Sequence, residues 1–172
     1  MAFDAFCYFD SASSSGLKVE GESTDDTYKA KKAFEIYAFS LGASNPVTIG
    51  SGSEGSGGGK VSISSFSVQK KTDAASAALF RACCDGSHFT GVHVVLRKSG
   101  GKQVEYLKYD FEEVFIESVQ WSGSTGGDDT PTESLSVAFG KVAVTYTPQK
   151  ADGTASSPAK EAKWDLRANK AP

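Results

Sequence analysis

A mainly β fold with a curved or closed antiparallel sheet and one short helix is what this sequence predicts, on three observations. Runs of alternating apolar residues recur along most of the chain. Two of these runs, at Ser64–Ser65 and at Gly140–Lys141, change the parity that carries their apolar side chains. A strand that swaps its inward face needs a bend or bulge, the device that lets a sheet turn a corner. Helical spacing is confined to one stretch, Ala74 to Cys84.

Phe3 to Phe9 reads as a strand covered on both sides, with Phe3, Ala5, Cys7 and Phe9 on one parity and Phe6 and Tyr8 on the other. From Asp10 to Ala33 the composition turns to Ser, Gly, Lys and acidic residues, a long polar connection with a small strand expected near Leu17 to Val19. "FEIYAFSLGA" returns to strand character, Tyr37, Phe39 and Leu41 opposing Ile36 and Ala38. The Gly-rich run at 50–59 lacks the spacing of a phosphate loop, and the residues after it alternate like a strand where such a loop needs a helix. It therefore reads as a flexible connection.

In "KVSISSFSVQK", Val61 and Ile63 precede the change of parity and Phe66 and Val68 come after it. The helix takes Thr72 or Asp73 as its cap and presents Ala75, Leu79, Ala82 and Cys83 as an apolar stripe. It is too short to be stable alone and must lie against the sheet or the open end of a barrel. "VHVVLRKSGGKQVEYLKYDF" predicts a hairpin turning at Ser99 to Gly101, with Val92, Val94 and Leu96 facing one way. "EVFIESVQWSG" continues the meander, and a polar loop spans Gly123 to Glu133. Leu135, Val137 and Phe139 give way to Val142, Val144 and Tyr146, and Trp164 with Leu166 forms a last short strand or clasp.

With 172 residues the natural reading is one domain, 1–172, able to bury ~70% of its extended surface. A net charge of −3 and the lack of a basic patch argue against nucleic-acid binding. No run approaches the length of a membrane span, and "MAFDAFCYFD" has no positive leader, which predicts synthesis as a soluble cytosolic protein without membrane insertion. Cys7 and the adjacent Cys83 and Cys84 form no metal framework and are expected as reduced, packed thiols; the competing reading is a reactive thiol served by His88.

Reaction chemistry finds little footing. Glu112 and Glu113 point apart on a strand, and Asp128 and Asp129 lie in a Gly-rich loop, where solvated charge is favoured over a weak calcium site. His88 and His93 would need a further ligand from elsewhere, and no nucleophile elbow is present. No catalytic residue, cofactor or metal site is assigned, and a small hydrolase remains the weakest of three classes. Apolar residues on both parities at Phe6–Cys7, Ile36–Tyr37 and Phe115–Ile116 favour a protein that assembles, unless its own loops cover those faces. The alternative is a monomeric β-rich protein-binding module.

The chain also resembles the Hcp family, the tube proteins of bacterial type VI secretion. The resemblance rests on "EGES" at Glu20 to Ser23, "GKV" at Gly59 to Val61, "QVEYLKYDFEEVFIESV" at Gln103 to Val119, "VAFGKVAVTYTPQKADG" at Val137 to Gly153 and "WDLRAN" at Trp164 to Asn169. It implies a closed β-barrel of two packed antiparallel sheets with one prominent helix, assembling as a homohexameric ring. Rings of that family stack into a tube driven by a sheath and capped by a spike protein. The tube subunit is itself exported to the medium or a target cell, and the lumen can carry effector proteins. The loop from Leu17 to Ala30 and the Gly-rich loops are then candidates for ring-to-ring contact, and Lys102, Lys108 and Glu117 are charges that line solvent or lumen. The chain departs from the family pattern in its Ser-rich segment Asp10 to Gly16, in Tyr28 where a histidine is expected, and in Phe39 and Leu41 where tryptophans are common.

Overall fold

Alternation and the two changes of parity translate into one eight-stranded antiparallel sheet and a projecting arm in a computed structural model that describes residues 3–13, 15–48, 57–99, 103–127 and 129–172. The chain forms β1 (Phe3–Phe9), β2 (Phe34–Glu35) and β3 (Ala38–Ser40), then β4 (Ala43–Ser44), β5 (Val47–Thr48), β6 (Gly57–Gly58) and β7 (Ser62–Ile63). After these come β8 (Phe66–Lys71), α1 (Ala75–Asp85), β9 (His88–Lys98), β10 (Glu105–Ser122), β11 (Thr132–Tyr146) and β12 (Lys160–Asp165). The sheet order is β2-β1-β9-β10-β11-β8-β3, with β12 beside the second half of β11. β4 pairs with β7 and β5 with β6, so residues 41–48 run out and residues 57–63 run back as the arm. Most of the Gly-rich 50–59 run and the turn at Gly100 and Gly101 lie outside the described residues.

The sheet curls but does not close, contrary to the expected closed barrel. It sweeps 250° and leaves a 10 Å gap. The reason lies in "FEIYAFSLGA", expected as one strand. Phe34 and Glu35 pair with β1 at one edge of the sheet, and Ala38 to Ser40 pair with β8 at the other. The two edge strands are thus consecutive pieces of one segment, two and three residues long, and cannot form a ladder with each other. Ile36 donates its N–H to Ala5 O at 2.9 Å, and Tyr37 donates to Gln69 O at 3.1 Å. The chain itself crosses the seam.

A crease runs across the three longest strands. Phe89, Val114 and Phe139 form one inward row and Val92, Phe111 and Val142 the next, three residues on in every strand where an unbent strand gives two. The intervening positions include Gly91, Glu113 with φ of 56°, and Gly140. A Cβ at Gly140 would collide with the Glu113 carboxylate. This accounts for the change of parity predicted at Gly140–Lys141. The change at Ser64–Ser65 is the break between β7 in the arm and β8 in the sheet.

Inside the curl, Phe66, Val68, Leu79, Phe89, Phe111 and Val137 form the buried core. Helix α1 plugs it with Ala75, Leu79 and Ala82. Asp73, not Thr72, does the capping: its carboxylate accepts the Ala75 N–H at 3.0 Å, and its own N–H donates to Ser76 Oγ at 3.1 Å. Gly86, left-handed at φ 69°, ends the helix.

The 10–33 connection packs without the strand expected at Leu17 to Val19. Ala12 bridges Phe89, Val19 is buried, and a 3₁₀ turn forms at Lys29–Lys31. Arg97 fastens it, donating to Asp25 at 2.6 Å and Asp4 at 3.3 Å. Tyr28, fully buried, stacks on Phe6 at 4.3 Å and donates its hydroxyl to Glu105 at 2.5 Å, so Phe6 and Cys7 are both covered within the subunit. Gly21 of "EGES" lies against the chain's return: its N–H bonds Lys32 O at 2.8 Å, and a Cβ there would stand 2.5 Å from Ala33 O.

Candidate functional site

The most distinctive surface is the convex face of β3, β8, β11 and β10. Strand alternation sends Phe66, Val68, Leu135 and Val137 inward, and the residues between them outward. Cross-strand register then aligns Ser40, Ser67, Ser136 and Ser118 in one row and Ala38, Gln69, Ser134 and Gln120 in the next. Neither row holds a charge, and together they line a shallow depression of about 310 Å³. A solvent-facing sheet ordinarily carries charged side chains on its outer parity. Six of the eight side chains in the two rows are Ser or Ala, which keeps the depression shallow.

One carboxylate enters this face through a bulge. The β10–β11 register slips between Ile116 and Ser118, so Glu117 is the extra residue. Ile116 is buried and Val119 packs against the core, which leaves Glu117 and Ser118 both turned outward. Ser136 Oγ donates to Glu117 Oε2 at 3.0 Å. Hydrogen bonds from Ser65 and Ser136 hold its carboxyl below the usual range. Lys71 stands at the margin of the face, opposite Thr132, beside a pocket lined by Glu22, Glu35 and Asp73.

A second surface is an apolar groove of about 510 Å³ between the arm and the end of the sheet. Leu41, Val61 and Ile63 form one wall, and Val142, Val144 and Trp164 the other. A third lies over α1, where Phe80 and Trp121, both about half exposed, meet at 5.6 Å. Trp121 is held from below by a buried ionic network. Its Nε1 donates to Glu133 Oε2 at 3.1 Å; that same oxygen accepts from Ser76 Oγ and lies 3.5 Å from Lys70 Nζ. Lys70, on β8 directly opposite Glu133, also reaches Asp73 at 2.7 Å. Lys70 and Glu133 are both 0% exposed.

The sequence's candidates for chemistry do not converge. His88 stacks on Phe115 at 5.4 Å. His93 stacks on Tyr8 at 4.7 Å, with Nδ1 2.6 Å from Asp110 and Nε2 3.3 Å from Asp10. The Asp110 hydrogen bond is the main cause of a raised His93 pKa, and burial opposes it. The two carboxylates approach opposite ring edges, so they do not share a ligand position. Gly91 leaves room for Asp10, since a Cβ there would strike its carboxylate. Glu112 pairs with Lys141 at 2.9 Å and Glu113 with Arg167 at 2.9 Å. Cys7 is buried, and burial pushes its thiol pKa up; Cys83 is half-buried, whereas Cys84 is exposed, not packed as expected. Among the described residues no group of three His, Cys, Asp or Glu side chains is placed to hold a metal. Asp128 and Lys102 lie outside the described residues, and Lys108 pairs with Glu105.

Missed from the sequence were the Ser/Gln face, the Glu117 bulge and the Lys70–Glu133 pair. The first had a signal in the alternating "SFSVQ", "SVQ" and "SLSV". The pair did not, because Lys70 and Glu133 meet only through strand register.

Fold and surfaces together define a mainly β protein with broad uncharged and apolar faces and no assembled reaction centre among the described residues. The family described as "Type VI secretion system effector, Hcp" matches residues 8–146, and the chain belongs to it. Protein hcp1 of Pseudomonas aeruginosa is 39% identical over 111 residues, 64% of this chain and 68% of that protein. A solved structure of a type six secretion system protein superposes with a TM-score of 0.89 at 35% identity, over 99% of this chain and 100% of the other. Hcp1 from Salmonella typhimurium superposes with a TM-score of 0.77 at 29% identity, over the full length of both. Membership supports a structural, secreted role in type VI secretion.

Proposed function

We propose that this chain is the inner-tube subunit of a type VI secretion system, a non-enzymatic building block that forms hexameric rings which stack and are exported. What carries the reading is the extent of the likeness, which reaches from end to end of the chain at a TM-score of 0.89. The whole chain, 1–172, then acts as one unit, made in the bacterial cytoplasm and delivered through the apparatus to the medium or a target cell. Its partners are other copies of itself, the sheath, the spike protein and effector cargo, with no cofactor, nucleic acid or membrane insertion required. Among the described residues no helix is long and apolar enough to cross a membrane.

The Ser/Gln face is the wall of the lumen. A conduit for other proteins works best where no apolar patch grips and no dense charge anchors, and the two uncharged rows across β3, β8, β11 and β10 meet that condition. Ring closure falls to other faces, since heterologous contacts need two different patches on each copy.

Light scattering behind size exclusion, over a range of concentrations, tests the assembly. Six times the 18.1 kDa chain mass is expected. A concentration-independent monomer would point instead to a β-rich binding module. Ser134→Trp separates wall from contact: on a lumen wall the bulky side chain leaves the hexamer mass unchanged, and at a subunit contact it yields monomers.

A further inference from the structure

Among the described residues, Glu117 is the one carboxylate beside the two rows of this face, which carry only hydroxyl, amide and methyl groups. It is exposed, projects from a bulge, and is steered by the Ser136 hydroxyl at 3.0 Å. We infer that Glu117 selects cargo by charge, so that the lumen favours proteins presenting Lys- or Arg-rich segments to its wall. This rests on the hexameric, lumen-facing reading above. Sixfold symmetry would turn one carboxylate per subunit into a closed belt at one level of the bore.

Charge complementarity is the physical basis. Hydroxyl and amide side chains offer every passing surface the same weak hydrogen bonds and discriminate poorly, whereas an isolated charge in a neutral surround sets the local potential. The carboxyl is ionised throughout the neutral range, because the Ser65 and Ser136 hydroxyls favour its charged form. Lys71, on the outward parity of β8, lies beyond the second row, where Glu22, Glu35 and Asp73 line the adjoining pocket and offset it. The bulge is what makes the site. Without the extra residue, regular alternation would place either position 117 or position 118 inward, and the face would lose its charge or its serine row.

The test uses the full chain with its ring mass established first, and two short fluorescent peptides, one alternating Lys and Ser and the other Glu and Ser, read by anisotropy at low and physiological salt. The wild-type ring should bind the basic peptide more tightly, by up to about fivefold at low salt, the most that one well-placed exposed ion pair supports. Glu117→Gln should abolish the preference and Glu117→Lys should reverse it. Glu161→Gln, which removes the same charge from β12, should leave it intact. Intact rings with no preference, a Glu117→Gln ring that binds like the wild type, or an equal loss in Glu161→Gln would each overturn the inference while leaving the ring standing. A monomer, or loss of assembly in Ser134→Trp, would instead strike the lumen reading on which it depends.

Discussion

Glu133→Ala should be among the most damaging single substitutions outside the apolar core, although it removes no apolar contact of consequence. Glu133 and Lys70 are neighbours across β11 and β8, both 0% exposed, and one oxygen of Glu133 collects Ser76, Trp121 and Lys70. Deleting it strands a buried ammonium whose remaining carboxylate partner is Asp73, at 2.7 Å, and frees the Trp121 indole. Breaking a buried pair by removing one partner costs about 3–5 kcal/mol, and the surviving Asp73 contact argues for the lower end. At roughly 3 kcal/mol, a chain of this size should lose about 6–12 °C in Tm. Urea unfolding followed by tryptophan fluorescence, at one low protein concentration because association shifts apparent stability, reads the loss directly. The double substitution Lys70→Met with Glu133→Leu should recover most of it, since apolar residues of similar volume often match a buried pair. A single variant that loses less than about 1 kcal/mol, or a double variant as unstable as the single, would refute the reasoning.

Two further outcomes rest on local geometry. Gly21→Ala places a methyl 2.5 Å from Ala33 O and 2.6 Å from Phe34 N, backbone atoms that cannot rotate aside, so a loss of roughly 1–3 kcal/mol is expected in the same urea assay. His93 has a raised folded pKa, so its contribution is complete below the unfolded value of about 6.5 and is lost as pH rises through the folded one. Stability should therefore fall on passing from mildly acidic to mildly alkaline pH by at most ~1 kcal/mol for this part-exposed group, and a flat difference between wild type and His93→Gln across that range would contradict the assignment.

Periodicity made the long strands legible. Phe3–Phe9, the helix, the hairpin of β9 and β10 and the parity change at Gly140 could all be placed because each rests on residues near in sequence. Closure was not legible. Both edges of the sheet lie in "FEIYAFSLGA", and nothing in its alternation says that Phe34 and Glu35 pair with β1 and Ala38 to Ser40 with β8. The small strand expected at Leu17 to Val19 failed for a related reason: the segment packs across the fold instead, with Ala12 bridging Phe89 and Val19 buried in the main core. The Ser/Gln face was visible as alternate polar positions, but only register reveals that the rows align. His93 between Asp10 and Asp110 required residues from β9, β10 and the end of β1 to meet.

The seam has a mechanical meaning for the curled sheet. Because Phe34 to Ser40 belongs to both rims, the opening works as a buckle whose strap is peptide backbone. Each extended residue spans at most about 3.3–3.6 Å, so Ile36 and Tyr37 limit how far the rims can part however the sheet is flexed. Small changes of curvature need disturb only the Ala5 and Gln69 hydrogen bonds at the crossing, while the ladders among β9, β10 and β11 stay whole. A cylinder sealed by a full ladder would have to shear many bonds at once to accept the same strain. This one can adjust its girth and still not come undone.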